Sequence, residues 1–289
     1  ALLFHKLVYM QVFGHIDGVT EGQTFNTRLE VKEAGLHKYH IGGISRILGV
    51  GCDCIVLSGG YSDDIDNGDI IFYTGEGGRE RNSRIQTFNQ LFERGNLDLS
   101  KNKYSGDPIR VIRGANLNSD YAPSDGYRYD GLYSLDDYWP VIGNNGFRVW
   151  RYKLIKIGDY LPPKNNQTNQ RRRITTNSII RNPAIPERLK EIHNYTCQIC
   201  NIRLEVNGNP YAIGAHIKGL GSPHNGPDSQ DNMIILCPND HYLFDAFGFS
   251  INDDFTLIGK EGSLNLNTSH HINLDYIKYH RECYKISSM

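Results

Sequence analysis

The sequence predicts an α+β protein in two parts: a β-rich N-terminal region and a C-terminal ββα-metal domain held by a structural zinc. Three observations predict this. Residues 1–157 break into short β-rich runs separated by Gly, Asn and Asp, several of them alternating apolar and polar residues, the period-two signal of half-buried strands. Residues 158–182, GDYLPPKNNQTNQRRRITTNSIIRN, turn to Pro, Asn, Gln and Arg with little that is apolar, and read as a linker. Beyond it, a CxxC pair precedes a strand-like run ending in histidine and a helix-like run opening on histidine.

The chain of 289 residues accommodates roughly two domains of about 100–200 residues each. No apolar run approaches the roughly 20 residues needed to cross a bilayer. The opening ALLFHKLVYMQVFGHI is interrupted by His, Lys and Gln and reads as a first strand rather than a signal peptide. Cys52, Cys54, Cys197, Cys200, Cys237 and Cys283 make six cysteines, and zinc ligation by the CxxC pair in a reducing, cytosolic compartment is expected over disulfides. Net charge is −1, so the whole-protein balance does not announce a nucleic-acid binder. The distribution says more: acid gathers at Asp63, Asp64, Asp66 and Asp69, and base between Arg148 and Arg181, including Arg171, Arg172 and Arg173. Such a strip can contact phosphates, or it can be a solvated linker.

Taken in order, the N-terminal strands are CDCIVLSGG, DIIFYTG, PIRVIRG, YRYDGLYSL and FRVWRYKLIKI, and strands at this spacing suggest a sandwich or barrel. One helix is expected over Ser83–Phe92, where Ile85, Phe88 and Leu91 fall at helical spacing. After the linker a short helix follows, ERLKEIH with Pro186 near its first turn, then a hairpin turning at Asn207-Gly208 and a C-terminal helix over NLDYIKYHRECYKI. His224, His270, His271 and His280 receive surface positions by default.

The run SGGYSDDIDNGDIIFYTGEGG (58–78) places Tyr61 and Tyr73 on either side of an acid-rich turn, with glycines flanking both. A pocket for an extracted base needs aromatic faces, an acceptor for an exocyclic amine, and the close backbone approach that Gly permits. A calcium-binding acidic loop or a plain turn fits the spacing equally well. In the C-terminal part, His216 closes the run YAIGAH, Asn232 follows in DNMIILC, and His241 opens a helix with Asp245 on the same face four residues on. A neutral histidine can take a proton from water while a divalent ion on the helix binds a scissile phosphate. Cys197, Cys200 and Cys237 can bind zinc, and a purely structural zinc ribbon would account for them too.

From Tyr195 to Ile251 the chain resembles the HNH endonuclease family. The resemblance implies that His216 is the general base, Asn232 the middle asparagine, and His241 with Asp245 the ligands of a catalytic Mg²⁺, Mn²⁺, Co²⁺ or Ni²⁺. It implies a structural Zn²⁺ on Cys197, Cys200 and Cys237, with Asp240 in the fourth position. Ala215 stands where many members carry a further ligand. Over residues 11–157, SGGYSDDIDNGDIIFYTGEGG with GNLDL, PIRVIRG, YRYDGLY and GFRVWRYKL resembles the SRA, or YDG, domain. That resemblance implies a curved β-barrel with flanking helices that flips 5-methylcytosine or a related base into a pocket. Tyr61 and Tyr73 would sandwich the base, Asp64 would accept from its amine, and Thr74 with the backbone of Ser58, Gly59 and Gly60 would complete the site. Ile41 would be a wedge, and Arg81 or Arg84 would reach the orphaned guanine. Tyr129 and Asp130 are expected to be structural.

The expected domains are 1–157 for modified-base recognition, 158–182 as a basic linker and 183–289 for the nuclease. The pairing resembles prokaryotic modification-dependent restriction endonucleases. It implies a cytoplasmic enzyme acting on double-stranded DNA with modified cytosine, and a homodimer for double-strand cutting. The alternatives are a modified-cytosine reader with an inactive HNH domain, and a nuclease indifferent to modification.

Overall fold

The structure, a computed structural model, describes residues 12–80, 83, 85–158 and 182–289, and the chain divides into two compact units, Ala1–Thr175 and Thr176–Met289.

The first unit is built on β1 (Thr24–Phe25), α1 (Arg28–Glu33), β2 (Ile44–Ile47), β3 (Gly51–Leu57), β4 (Ile65–Asp66), β5 (Ile70–Thr74), α2 (Arg94–Ser105), β6 (Ile109–Gly114), β7 (Tyr127–Ile142) and β8 (Arg148–Lys156). The strands form one sheet in the order β2-β3-β6-β7-β8-β5-β4, with β1 also on β7. Only the β3–β6 pair is parallel; the other pairings are antiparallel. β7 pairs β6 through its first half and β8 through its second, and its register to β8 slips between Leu135 and Asp137. A bulge bends the strand that carries it, which lets one long strand serve both neighbours of a curved sheet. β3 is buried along its whole length, so its apolar residues do not alternate: it is a central strand covered on both faces. Helix α2 docks on it through the Asn102 amide, which accepts from Cys52 N (2.7 Å) and donates to Cys52 O (2.9 Å).

Two buried guanidiniums organise the rest of this unit. Arg110 pairs with Asp53 (2.8 Å), both fully buried, and donates to the carbonyls of Val12, Gly14 and Leu36, pinning the incoming chain. Arg113 pairs with Asp66 and Asp130. Tyr129, the first residue of the YDG run, is buried with its hydroxyl 2.8 Å from His15 Nδ1. Both Tyr129 and Asp130 therefore sit in the framework.

The helix expected over Ser83–Phe92 is not there. Ile85, Phe88 and Leu91, whose spacing suggested it, are exposed at 64%, 49% and 57%. The buried residues are instead Gln86 and Gln90, whose amides donate to the carbonyls of Arg148 and Gly75. The backbone of Thr87 and Phe88 bonds Gly78, and that of Gln90 bonds Arg148. Side-chain amides satisfy the neighbouring strands, and the segment is a strap rather than a helix; the helix begins at Arg94. The strand expected at the start of the chain falls mainly on residues 1–11, and most of the basic linker on 159–181, outside the described residues.

The second unit comprises α3 (Ala184–Ile192), β9 (Leu204–Val206), β10 (Asn209–Tyr211), β11 (Ile213–His216), β12 (Met233–Leu236), α4 (Pro238–Asp245), β13 (Ser250–Ile251), β14 (Leu257–Ile258) and α5 (Leu274–Ser288). β9 and β10 form the hairpin, with Asn207 at φ 53° and Gly208 at φ 75°, as a two-residue turn with two positive φ values requires. β11 and β12 pair antiparallel, Ile213 opposite Leu236 through His216 opposite Met233. Their side chains alternate between two cores. Met233 and Ile235 join Leu189 of α3, whereas Ala215, Ile234 and Leu236 join Phe244 of α4, Ile277 of α5 and Phe249. The hairpin is thus a buried platform from which His216 projects.

Candidate functional sites

Each step of the first site follows from the end of β3. Gly59 sits at φ +71°, and a Cβ there would collide with the Asn116 carbonyl oxygen, so only glycine fits. The chain then reaches Tyr61, whose hydroxyl donates to Gly77 O at 2.8 Å. Asp64 Oδ1 accepts from Thr74 N at 2.7 Å, joining the acidic turn to the end of β5. Burial pushes the Asp64 carboxyl up to about 6. Tyr73 on β5 is buried, and burial pushes its phenol well above the ordinary range. Above Tyr73 lies the loop carrying Ile41: a Cβ on Gly43 would collide with the Tyr73 hydroxyl. Arg28 holds this loop by donating to the carbonyls of Tyr39 (3.1 Å) and Gly42 (2.8 Å), while Ile41 itself is 75% exposed. Ser58, Gly59, Gly60, Tyr61, Asp64, Tyr73, Thr74 and Ile41 thus lie on connected elements. Arg81, Arg84 and Arg171–Arg173 lie outside the described residues.

The acidic turn is internally engaged. Asp63 Oδ1 accepts from Asn144 N (2.8 Å), and Asp66 takes both arms of Arg113 (2.8 and 2.7 Å) and the Ser119 hydroxyl (2.7 Å). These carboxylates shape the turn around Asp64, which argues against a calcium loop. The sequence put Arg79 at the start of a loop, Arg79–Arg84, expected to enter the duplex, but gave it no role of its own. Its guanidinium stacks 3.6 Å over the Tyr61 ring and donates to Gly60 O, clasping the two pocket loops together. Only the fold brings positions 61 and 79 face to face.

In the second unit, His216 ends β11 with its Nε2 3.0 Å from Asp228 Oδ1. Asn232 is fully buried; its amide accepts from Lys218 N and donates to the carbonyls of Lys218 and Pro227, each at 2.8 Å. It therefore closes both ends of the loop that follows His216. Gly226 completes the closure, since a Cβ there would collide with the Lys218 carbonyl oxygen. On α4, His241 Nε2 and Asp245 Oδ2 lie 3.5 Å apart, one turn from each other on one face. Ala215 is buried in the apolar core, so the strand offers no ligand at that position.

Cys197, Cys200, Cys237 and Asp240 converge, their ligand atoms all within 4.8 Å of one another. Cys200 and Cys237 sulfurs are 3.7 Å apart, and Asp240 Oδ2 is 3.2 Å from Cys197 Sγ and 3.5 Å from Cys237 Sγ. Tetrahedral zinc with bonds near 2.3 Å to sulfur and 2.0–2.2 Å to oxygen sets such edges at roughly 3.5–3.8 Å, so the donor set fits the ion. Burial pushes the Cys197 and Cys200 thiols up, and a bound cation would act in the opposite direction by deprotonating them. Burial also acts to raise Asp240, but hydrogen bonds from the Cys200 thiol and Lys260 outweigh it and hold the carboxyl below its usual range. The cluster also sets α4: Cys237 is its N-cap, accepting from Asp240 N, and Pro238 opens its first turn.

The default of surface histidines holds for His271 alone. His224, His270 and His280 are buried. His280 stacks on Phe244 (centroids 3.8 Å, 2° between planes) and bonds Ser250 and the Phe244 carbonyl, and burial brings it down to about 4. His224 meets the Tyr279 hydroxyl at 2.6 Å, and His270 meets His193 at 2.8 Å. They are satisfied core histidines, buried because each finds a partner for its ring nitrogens.

Residues 12–160 match the SAD/SRA domain family and residues 197–252 the HNH endonuclease family. The chain is similar to E3 ubiquitin-protein ligase UHRF1 of Xenopus laevis, 37% identical over 171 residues that cover 52% of this chain and 22% of that protein. It is 40% identical over 164 residues to the UHRF1-like protein of Cryptococcus neoformans var. grubii serotype A, covering 53% of this chain and 48% of that one. The chain spans less than half the length of either relative. Among solved structures it is similar to the modification dependent TagI restriction endonuclease: 41% identity, 93% of this chain and 94% of that chain covered, TM-score 0.51.

Proposed function

We infer that this chain, which belongs to the family of SAD/SRA-domain proteins joined to an HNH endonuclease domain, cuts double-stranded DNA near modified cytosine. The observation that carries this reading is the presence, in one chain, of Tyr61, Asp64 and Tyr73 on connected, glycine-bearing elements and of the ordered set His216, Asn232, His241 and Asp245. Similarity to a modification-dependent endonuclease along 93% of the chain supports it.

In the first unit, Tyr61 and Tyr73 stack on the flipped base. Asp64 accepts from the cytosine amine, for which a carboxylate is the natural partner. Thr74 and the backbone of Ser58, Gly59 and Gly60 line the remainder. Extraction costs a few kcal/mol, which the correct base offsets by stacking and hydrogen bonding. Ile41 enters the duplex as the wedge, Arg81 or Arg84 reaches the orphaned guanine, and Arg171–Arg173 hold phosphates.

In the second unit, His216 removes a proton from the attacking water. Asn232 fixes the backbone beyond it. His241 and Asp245 would hold a divalent cation such as Mg²⁺, which when bound would supply charge neutralisation at the scissile phosphate and leaving oxygen. Two protein ligands leave room for water and phosphate, as Mg²⁺ prefers. Cys197, Cys200, Cys237 and Asp240 would hold a structural Zn²⁺, which would tie the start of α4 to the CxxC loop. The reading is of a type IV-like, cytoplasmic restriction enzyme that works as a homodimer.

The test uses otherwise identical plasmids with and without 5-methylcytosine, incubated with Mg²⁺, Mn²⁺, Co²⁺ or Ni²⁺. Cleavage confined to the methylated plasmid is expected, and His216→Ala abolishes it. Binding without cleavage under every metal would instead identify a reader whose nuclease lacks a ligand at Ala215. Equal cleavage of both plasmids would remove the recognition role from the first unit.

A further inference from the structure

We propose that Asp228 is the positioning residue for His216, fixing the tautomer in which the imidazole acts as base; this rests on the reading of His216 as that base. Asp228 lies in the loop between β11 and β12, and sequence reading gave it no role. Each of its two carboxylate oxygens meets a donor. Oδ1 lies 3.0 Å from His216 Nε2, and Oδ2 accepts from the backbone N–H of Asn182 at 2.6 Å. The side chains of His216 and Asp228 are 16% and 14% exposed, so the pair is largely removed from solvent. An ionised carboxylate only accepts, so the proton at this contact belongs to Nε2 and the lone pair to Nδ1. As Nδ1 takes the proton from water, the carboxylate stabilises the imidazolium that forms.

The partition of the two oxygens makes a specific forecast. In Asp228→Asn one oxygen becomes an NH₂. The Asn182 backbone N–H can only donate, so it retains the remaining oxygen. The amide NH₂ then faces His216 Nε2 and drives the proton to Nδ1, the wrong tautomer for the reaction. Asp228→Ala merely releases the ring. The isosteric change is therefore the more damaging one, the reverse of what a packing role gives.

Two measurements on the full chain test this. Cleavage of the methylated plasmid with Mg²⁺ should fall by two or more orders of magnitude in kcat for Asp228→Asn, toward the about 10⁴-fold cost of a wrong tautomer in a serine protease triad. The loss for Asp228→Ala should be smaller, Asp228→Glu should recover part of the rate, and KM for DNA should stay within about threefold for all three. Long-range ¹H–¹⁵N correlation spectra, with the His216 signals assigned by their loss in His216→Ala, should place the proton on Nε2 in the wild type and on Nδ1 in Asp228→Asn. A kcat for Asp228→Asn at or above that of Asp228→Ala, or a wild-type proton on Nδ1, overturns the proposal. Full activity in His216→Ala would overturn the base assignment itself. An inactive His216→Ala beside a fully active Asp228→Asn would overturn the role of Asp228 alone.

Discussion

On the proposed reading, Asp64 meets two demands that pull against each other. To accept from a cytosine amine it must be ionised, yet burial has pushed its carboxyl up from 3.8 to about 6. Between those two values the folded chain binds more protons than the unfolded chain, so this group makes stability fall as pH rises through the window. Above about pH 6 the destabilisation is fully present. Asp64→Asn keeps an oxygen for Thr74 N but removes the charge. It should raise the Tm of the first unit at pH 7 and abolish preference for methylated DNA. In the wild type that preference should weaken as pH falls from 7 to 5, and a fluorescence-anisotropy titration across that range checks it. Tyr61 and Arg79 give a second residue-scale expectation. Tyr61→Ala loses a stacking face worth about 1–3 kcal/mol, roughly 5- to 150-fold in Kd, on methylated DNA alone. Arg79→Ala should erode the same discrimination by loosening Tyr61; equal weakening on unmethylated DNA would make Arg79 a phosphate contact. Tyr61, Tyr73 and Asp64 could be singled out in the sequence because the run that carries them resembles the SRA domain; their spacing alone left a calcium loop or a plain turn open. Arg79 and Asp228 could not, because their partners lie across loops that sequence separation does not bring together.

At the scale of elements, the cysteine cluster and α4 form one device. Cys237 caps the helix, Asp240 lies in its first turn, and His241 and Asp245 follow on the next. Removing zinc should therefore loosen the catalytic face as well as the fold. Asp240→Ala is expected to lose the roughly one zinc per chain that elemental analysis should find in the wild type. It should lower the Tm of the second unit by several degrees and cut cleavage while leaving DNA binding by the first unit intact; unchanged metal content would remove Asp240 from the site. Strand and helix positions here were readable because β11, β12 and α4 are short and strongly patterned. The strap over Ser83–Phe92 was misread for the opposite reason. Its apolar residues kept a helical period, but buried Gln86 and Gln90 had better partners in the backbone of β8 and the residue after β5. Polar side chains that complete a neighbouring sheet leave no periodic trace.

For the whole molecule, the SAD/SRA match falls in the first compact unit and the HNH match in the second, so the proposed reading assigns recognition to one and cutting to the other. On the proposed reading, the first unit holds the modified base and the second cuts the DNA nearby. One HNH site breaks one strand, so a double-strand break calls for two copies. Sedimentation velocity on a methylated duplex should show two chains per DNA at saturation, and a single chain that still makes double-strand breaks would contradict the dimer. The measurement that tests the central claim most directly is cleavage of a matched plasmid pair, methylated and unmethylated, by the wild type and by Tyr61→Ala. The account predicts Mg²⁺-dependent cutting of the methylated plasmid by the wild type, little or none of the unmethylated one, and a clearly reduced preference for the methylated plasmid in Tyr61→Ala. Equal cutting of both plasmids by the wild type, or an undiminished preference in Tyr61→Ala, would contradict it.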